Sequence, residues 1–120
     1  MKGSMDSIGD LVAQYAAAAA AHGAASESCN SEEANKQADI VAKVYRQLRA
    51  RGPEAQLGLL GLLEDPDPSV RCWAATHALE FAPERGEPVL RQLARGNPGF
   101  VRADASASLQ VWREGKLRFP

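Results

Sequence analysis

Cysteine and histidine are scarce in this chain: 120 residues hold two of each, Cys29 and Cys72, His22 and His77. Two distant cysteines, one in an expected loop and one in an expected helix, make no disulfide framework of the kind small secreted domains use. They read as free thiols in a reducing cytoplasm. Two histidines so far apart leave no His/Cys/Asp/Glu cluster at ligand spacing, so no metal site is expected. A Gly-rich phosphate loop is also missing, and no cofactor is expected. Ser26, Ser28 and Ser31 read as loop and cap residues, because no Gly-x-Ser-x-Gly elbow or nearby base accompanies them; no catalytic residue is assigned. No apolar run approaches the ~20 residues that span a bilayer, and the N-terminus lacks the basic and strongly apolar regions of a secretory signal. A cytoplasmic location with no membrane partner follows. Charge of one sign is lacking too, the formal net being −1, which gives no general argument for a nucleic-acid partner.

Alanine is what the chain has in plenty, with twenty-two of its residues. Alanine loses no side-chain entropy in a helix, whereas strands want the β-branched and aromatic residues that are few here, so the class is all-α. Residues 1–5 read as a tag or a disordered N-terminus, with one domain over 6–120. The spacing predicts about six helices. Asp6 caps a first helix to about His22, with Ile8, Leu11, Val12, Tyr15, Ala18, Ala19 and His22 on one face and Gly23 as its stop. Asn30 or Ser31 caps the second, which buries Ala38, Val41, Val44, Tyr45 and Leu48. The third spans Pro53 to about Glu64, and its leucines are expected to bury it on most sides, with Gly58 and Gly61 loosening it. Asp67 caps the fourth, Pro68 to about Ala82, whose buried arc runs through Val70, Ala74, Ala75, Ala78, Leu79, Phe81 and Ala82. The fifth is short, Glu87 to Ala94, because Pro88 deeper inside would remove a hydrogen bond. The sixth runs from Gly99 to Glu114, Gly115 closes it, and the tail folds back on Leu117 and Phe119.

A repeat is visible at a spacing of thirty-one residues. Leu62-Leu63-Glu64 returns as Leu93-Ala94-Arg95, Asp65-Pro66-Asp67 as Gly96-Asn97-Pro98, Val70-Arg71 as Val101-Arg102, and Ala74 as Ala105. Each unit is an apolar helix, a turn and a second helix. Three antiparallel pairs in series predict a short α-solenoid, a superhelix of the HEAT or armadillo type. Asp in the turn, then Val-Arg, then Ala near the fourth following position resembles HEAT repeats, although the period is shorter than their usual ~40–47 residues. A closer resemblance is to a bacterial HEAT-like family, the domain-of-unknown-function family numbered two thousand and nineteen. It rests on LLEDPDPSVRCWAATHALEFAPE at 62–84, on Tyr45-Arg46-Gln47-Leu48-Arg49, and on the closing residues Trp112 to Pro120. The resemblance to HEAT repeats implies that the turn carboxylates of Asp65 and Asp67 pair Arg71, and that Arg102 reaches back toward its own preceding turn.

The same resemblance implies binding rather than catalysis, through an extended concave side lined by the second helix of each pair. The thirty-one-residue offset sets Trp73 beside Asp104, Thr76 beside Ala107, His77 beside Ser108 and Glu80 beside Val111. The candidate partner surface is therefore Trp73, Thr76, His77, Glu80, Asp104, Ser108 and Val111. Trp73 and His77 share a helix face, either as an exposed recognition pair or as a packed Trp with His covering its edge. The expected partner is a protein, with toxin immunity or an adaptor role as concrete versions; a second copy of the chain remains a candidate. The alternative is a nucleic-acid-binding domain using Lys43, Arg46 and Arg49, which step down one side of the second helix in a stretch, 40–51, with four bases and no acid. A solvated face is the plainer account of that strip.

Overall fold

In the computed structural model, which describes residues 6–120, six α-helices and one 3₁₀ segment account for most of the backbone, and no strand occurs among the described residues. The reading of residues 1–5 lies outside them. The helices are α1 (Ile8–Glu27), α2 (Ser31–Ala50), α3 (Pro53–Leu57), α4 (Pro68–Phe81), α5 (Pro83–Ala94) and α6 (Phe100–Arg113), with the 3₁₀ segment Gly58–Glu64 between α3 and α4. Successive helices pair: α1 with α2, the 3₁₀ segment with α4, α4 with α5, and α5 with α6. The first helix also touches both α4 and α6, so the pairs draw together into a body with a radius of gyration of 13.7 Å. Its centre is filled by Leu11, Tyr15, Val41, Tyr45, Leu48, Leu59 and Leu90, all essentially solvent-free.

Most starts and stops follow the sequence chemistry. The Asn30 side chain accepts from the Glu33 N–H at 3.1 Å, and Pro68 occupies the first turn of α4, where its missing N–H costs nothing. At the C-terminus Gly115 takes a left-handed φ of 73°, and Lys116 N–H donates to the Val111 carbonyl at 2.9 Å, which turns the tail back. Leu117 and Phe119 then lie half-buried against the core, and the Arg49 guanidinium holds the Pro120 carbonyl.

Five expectations need correction. Ser7, not Asp6, caps α1, through a reciprocal capping box with Asp10 (3.0 and 3.2 Å). Gly23 does not end that helix, which continues to Glu27. The glycine is there for space: a Cβ on it would lie 1.9 Å from Ser69 Oγ and 2.6 Å from Ser69 Cβ, on the first turn of α4. Gly23→Ala should therefore cost ~1–3 kcal/mol by overpacking, despite the better helix propensity of Ala. A midpoint of urea unfolding equal to wild type would show that α4 can simply slide away.

The third helix is interrupted. It ends at Leu57 and a 3₁₀ segment carries Gly58–Glu64, where the low helix propensity of Gly58 and Gly61 weakens the α-helical alternative. Only Leu59 and Leu63 of this segment are buried, while Leu57 of α3 is 51% exposed. Gly58 faces side chains rather than a backbone, since its Cβ would stand 3.2 and 3.3 Å from the Cγ2 atoms of Ile8 and Val12.

The fifth helix begins at Pro83, four residues before the expected start, and Pro88 sits inside it. Pro88 is on the exposed side, where water can serve the Glu84 carbonyl left without its N–H partner. Finally, the turn carboxylates do not pair Arg71. Asp65 Oδ1 accepts from Asp67 N–H and Asp67 Oδ1 from Ser69 N–H, both at 2.8 Å. Arg71 instead donates to the carbonyls of Asp65 at 2.6 Å and Pro66 at 3.2 Å. The guanidinium is satisfied by backbone, and the carboxylates hold the turn. Arg102, in the second unit, is exposed.

Candidate functional site

The α1, α4 and α6 helices meet around a cleft of about 310 Å³. From α4 it is lined by Ser69, Cys72, Trp73 and Thr76, and from α6 by Phe100, Val101, Asp104, Ala107 and Ser108. His22, Gly23, Ser26 and Glu27 of α1 complete it. Four of the seven residues expected to face a partner, Trp73, Thr76, Asp104 and Ser108, are thus brought together. Thr76 Oγ1 and Ser108 Oγ stand 3.4 Å apart, which fixes α4 against α6 one residue from the thirty-one-residue register.

The sequence pattern does not show the α1 wall, because a helix stop at Gly23 leaves Ser26 and Glu27 outside any helix. Trp73 Nε1–H donates to His22 Nδ1 at 3.3 Å, with the two rings edge-to-face at 5.1 Å. Indole can only donate, so Nδ1 of His22 is the acceptor. The indole is therefore held by its edge. Partial burial raises the Asp104 carboxyl above its ordinary range, with His22 pulling the other way. Cys72 lies at the foot of the cleft; burial, then the charge of Asp104, pushes its thiol up to about 12, so it stays protonated and is a poor nucleophile at neutral pH.

The other three expected residues lie elsewhere. His77 is not on an exposed border: it is 3% exposed. Its ring stacks on Tyr45 at 4.2 Å with an interplanar angle of 11°, and its Nδ1 shares a hydrogen bond of 2.6 Å with the Tyr15 hydroxyl. Trp73 and His77 do neighbour one another, at 5.9 Å between tilted rings. Glu80 is committed: it accepts from the Tyr45 hydroxyl at 2.5 Å and from Arg49 at 3.0 and 3.2 Å. Gln56 donates to that same hydroxyl at 3.1 Å, and burial, then the Glu80 carboxylate, drives the Tyr45 phenol well above its usual range. Val111 is half-buried and does not line the cleft.

The basic strip is likewise altered. Lys43 and Arg46 are exposed, but Arg49 is half-covered, paired to Glu80 and to the C-terminal carbonyl, and lies over the Tyr45 ring at 5.5 Å. Among the described residues, two cations of the strip are left without a partner where three were expected. Among the described residues no group of three or more His, Cys, Asp and Glu is placed to hold a metal ion. No described helix is long and apolar enough to cross a membrane.

The family described as Domain of unknown function (DUF2019) matches residues 9–111. Among solved structures, the chain is similar to the crystal structure of the protein RPA1889 from Rhodopseudomonas palustris CGA009, with a TM-score of 0.89 and 23% identity, over 100% of this chain and 99% of that one. At that identity the likeness speaks for the fold. No curated protein matches.

Proposed function

The chain belongs to the DUF2019 family, and we propose that it acts there as a non-catalytic protein-interaction module binding through the α1–α4–α6 face. The reading treats the helix pairs as a short HEAT-like superhelix, in which second helices of successive pairs share one side. The single observation that carries it is the convergence of Trp73, Thr76, Asp104 and Ser108, from two different helices, on one cleft. An aromatic side chain, a carboxylate and hydroxyls around a half-enclosed hollow are the mixture found at energetic centres of interfaces. An adaptor and a toxin-immunity protein are the two concrete versions; a toxin gene directly upstream would favour the second. The nucleic-acid reading loses support with Arg49, whose charge is already paired.

The test begins with the partner, isolated by co-purification from the source cells. Its affinity is then measured for the double variant Asp104→Arg, Ala107→Arg, both positions being exposed. A loss of tenfold or more, at least ~1.4 kcal/mol, is expected with circular dichroism and melting unchanged. Wild-type affinity in that folded variant would place the interface elsewhere.

A further inference from the structure

The cleft has a chemical bias beyond its shape. Two carboxylates line it, Asp104 and Glu27, and no lysine or arginine does. Among the described residues Asp104 forms no ion pair, the bridges being Arg49–Glu80, Arg113–Glu87 and Lys116–Glu114. Its neighbours are the edge-tethered Trp73, the 51%-exposed Phe100 and the hydroxyls of Thr76 and Ser108. At about 310 Å³ the hollow lies at the small end of the ~300–1,000 Å³ typical of ligand pockets, room for one side chain rather than a cofactor.

We propose that the cleft is a receptor for a single arginine side chain presented by the protein partner, an inference that rests on the interaction reading above. An anionic group would meet two carboxylates. An apolar side chain would strip water from Asp104 and return nothing for it. Lysine would supply charge, but its compact, strongly hydrated ammonium gains less from an aromatic wall. A guanidinium is planar and weakly hydrated, stacks on aromatic faces and forks onto a carboxylate through two N–H groups. Trp73 and Phe100 supply aromatic surface, Asp104 the carboxylate, and the α1 wall with Glu27 a second negative charge.

The experiment is an NMR titration of the ¹⁵N-labelled chain with N-acetyl-arginine methylamide, and in parallel with the neutral near-isostere N-acetyl-citrulline methylamide. Saturable shifts are expected at the Trp73 indole N–H and at the amides of Asp104 and Ser108, with citrulline at least tenfold weaker. Asp104→Asn should abolish the difference at an unchanged melting temperature. Equal binding of the two probes, no saturable shift at these residues, or full arginine binding by Asp104→Asn would overturn the inference. The interaction reading is judged separately, by partner affinity in the double variant. If that affinity falls while the probes bind alike, the interface stands and the arginine receptor does not. If arginine alone seats in the cleft but the partner is unaffected, the guanidinium site is upheld and its delivery by this partner is overturned.

Discussion

Replacing Gly86 by Ala should destabilise the protein by ~1–3 kcal/mol or more, seen as a lower midpoint in urea and a fall of several degrees in melting temperature. The direction is the informative part, because Gly→Ala inside a helix ordinarily stabilises by roughly 0.5–1 kcal/mol. Gly86 is buried on α5, and a Cβ there would lie 2.5 Å from the Ala75 carbonyl oxygen and 3.1 Å from Ala78 Cβ. The first of these is backbone in the middle of α4, which cannot swing aside as a side chain tip can. The closeness has a cause in the chain: only Ala82 separates α4 from α5, and its carbonyl accepts from both Arg85 and Gly86 N–H at 2.9 and 3.1 Å. A one-residue turn sets α5 against α4 within its first turns, so the residue at the crossing must be small. Gly61→Ala is the control. Nothing lies within 4 Å of its Cβ position, and that variant should be neutral or slightly more stable. Equal stabilisation by both substitutions would mean that α4 and α5 are not in backbone contact.

Gly86 also shows where sequence reasoning stops. Caps, proline starts and the Gly115 stop are local chemistry, and Asn30, Pro68 and Gly115 were legible because each acts on its own neighbours. The buried faces of α2 and α4 were legible for a related reason: Val41, Val44, Leu48, Ala74 and Ala78 keep a 3.6-residue period. Gly23 and Gly86 have the same local signature as helix stops or weak points, and only the partner helix distinguishes a glycine that ends a helix from one that admits a neighbour. The cleft was half legible for that reason. The offset between α4 and α6 brought Trp73, Thr76, Asp104 and Ser108 together, while the α1 wall depended on a helix continuing through Gly23. His77 was lost differently. At 100° per residue it falls on the border of the apolar arc, and its fate was decided by Tyr15 and Tyr45, two aromatic residues on other helices that supply a hydrogen bond and a stacking face. Tyr45 also explains why Glu80 and Arg49 are occupied: burying its ring leaves its hydroxyl needing a partner, and Glu80 accepts from it with Arg49 alongside.

The buried imidazole makes stability depend on pH in a sense that can be worked out. Burial, followed by the nearby charge of Arg49, lowers His77 from its ordinary 6.5 to about 3. Around it stand Tyr15 from α1, Tyr45 and Arg49 from α2, and Trp73 on its own helix; the two phenols are raised, so none of these offers a negative charge to an imidazolium between pH 7 and 5. The unfolded chain takes up this proton near pH 6.5, while the folded chain resists it until far lower. Over that interval the unfolded state binds more protons, so stability is full above the unfolded value and falls as pH falls. From pH 7 to pH 5 the loss attributable to His77 should be about 2 kcal/mol, approaching ~1.4 kcal/mol for each further unit. His77→Gln keeps a side chain able to hydrogen-bond Tyr15 but has no proton to gain. That variant should be less stable at pH 7, having lost the stack on Tyr45, yet its stability should change much less between pH 7 and pH 5. Urea unfolding of both proteins at pH 7, 6 and 5 measures the two slopes, and their difference cancels every other titrating group. Parallel slopes would mean that His77 is protonated as readily in the folded protein as in water, and that the knot of Tyr15, His77 and Tyr45 is open to solvent.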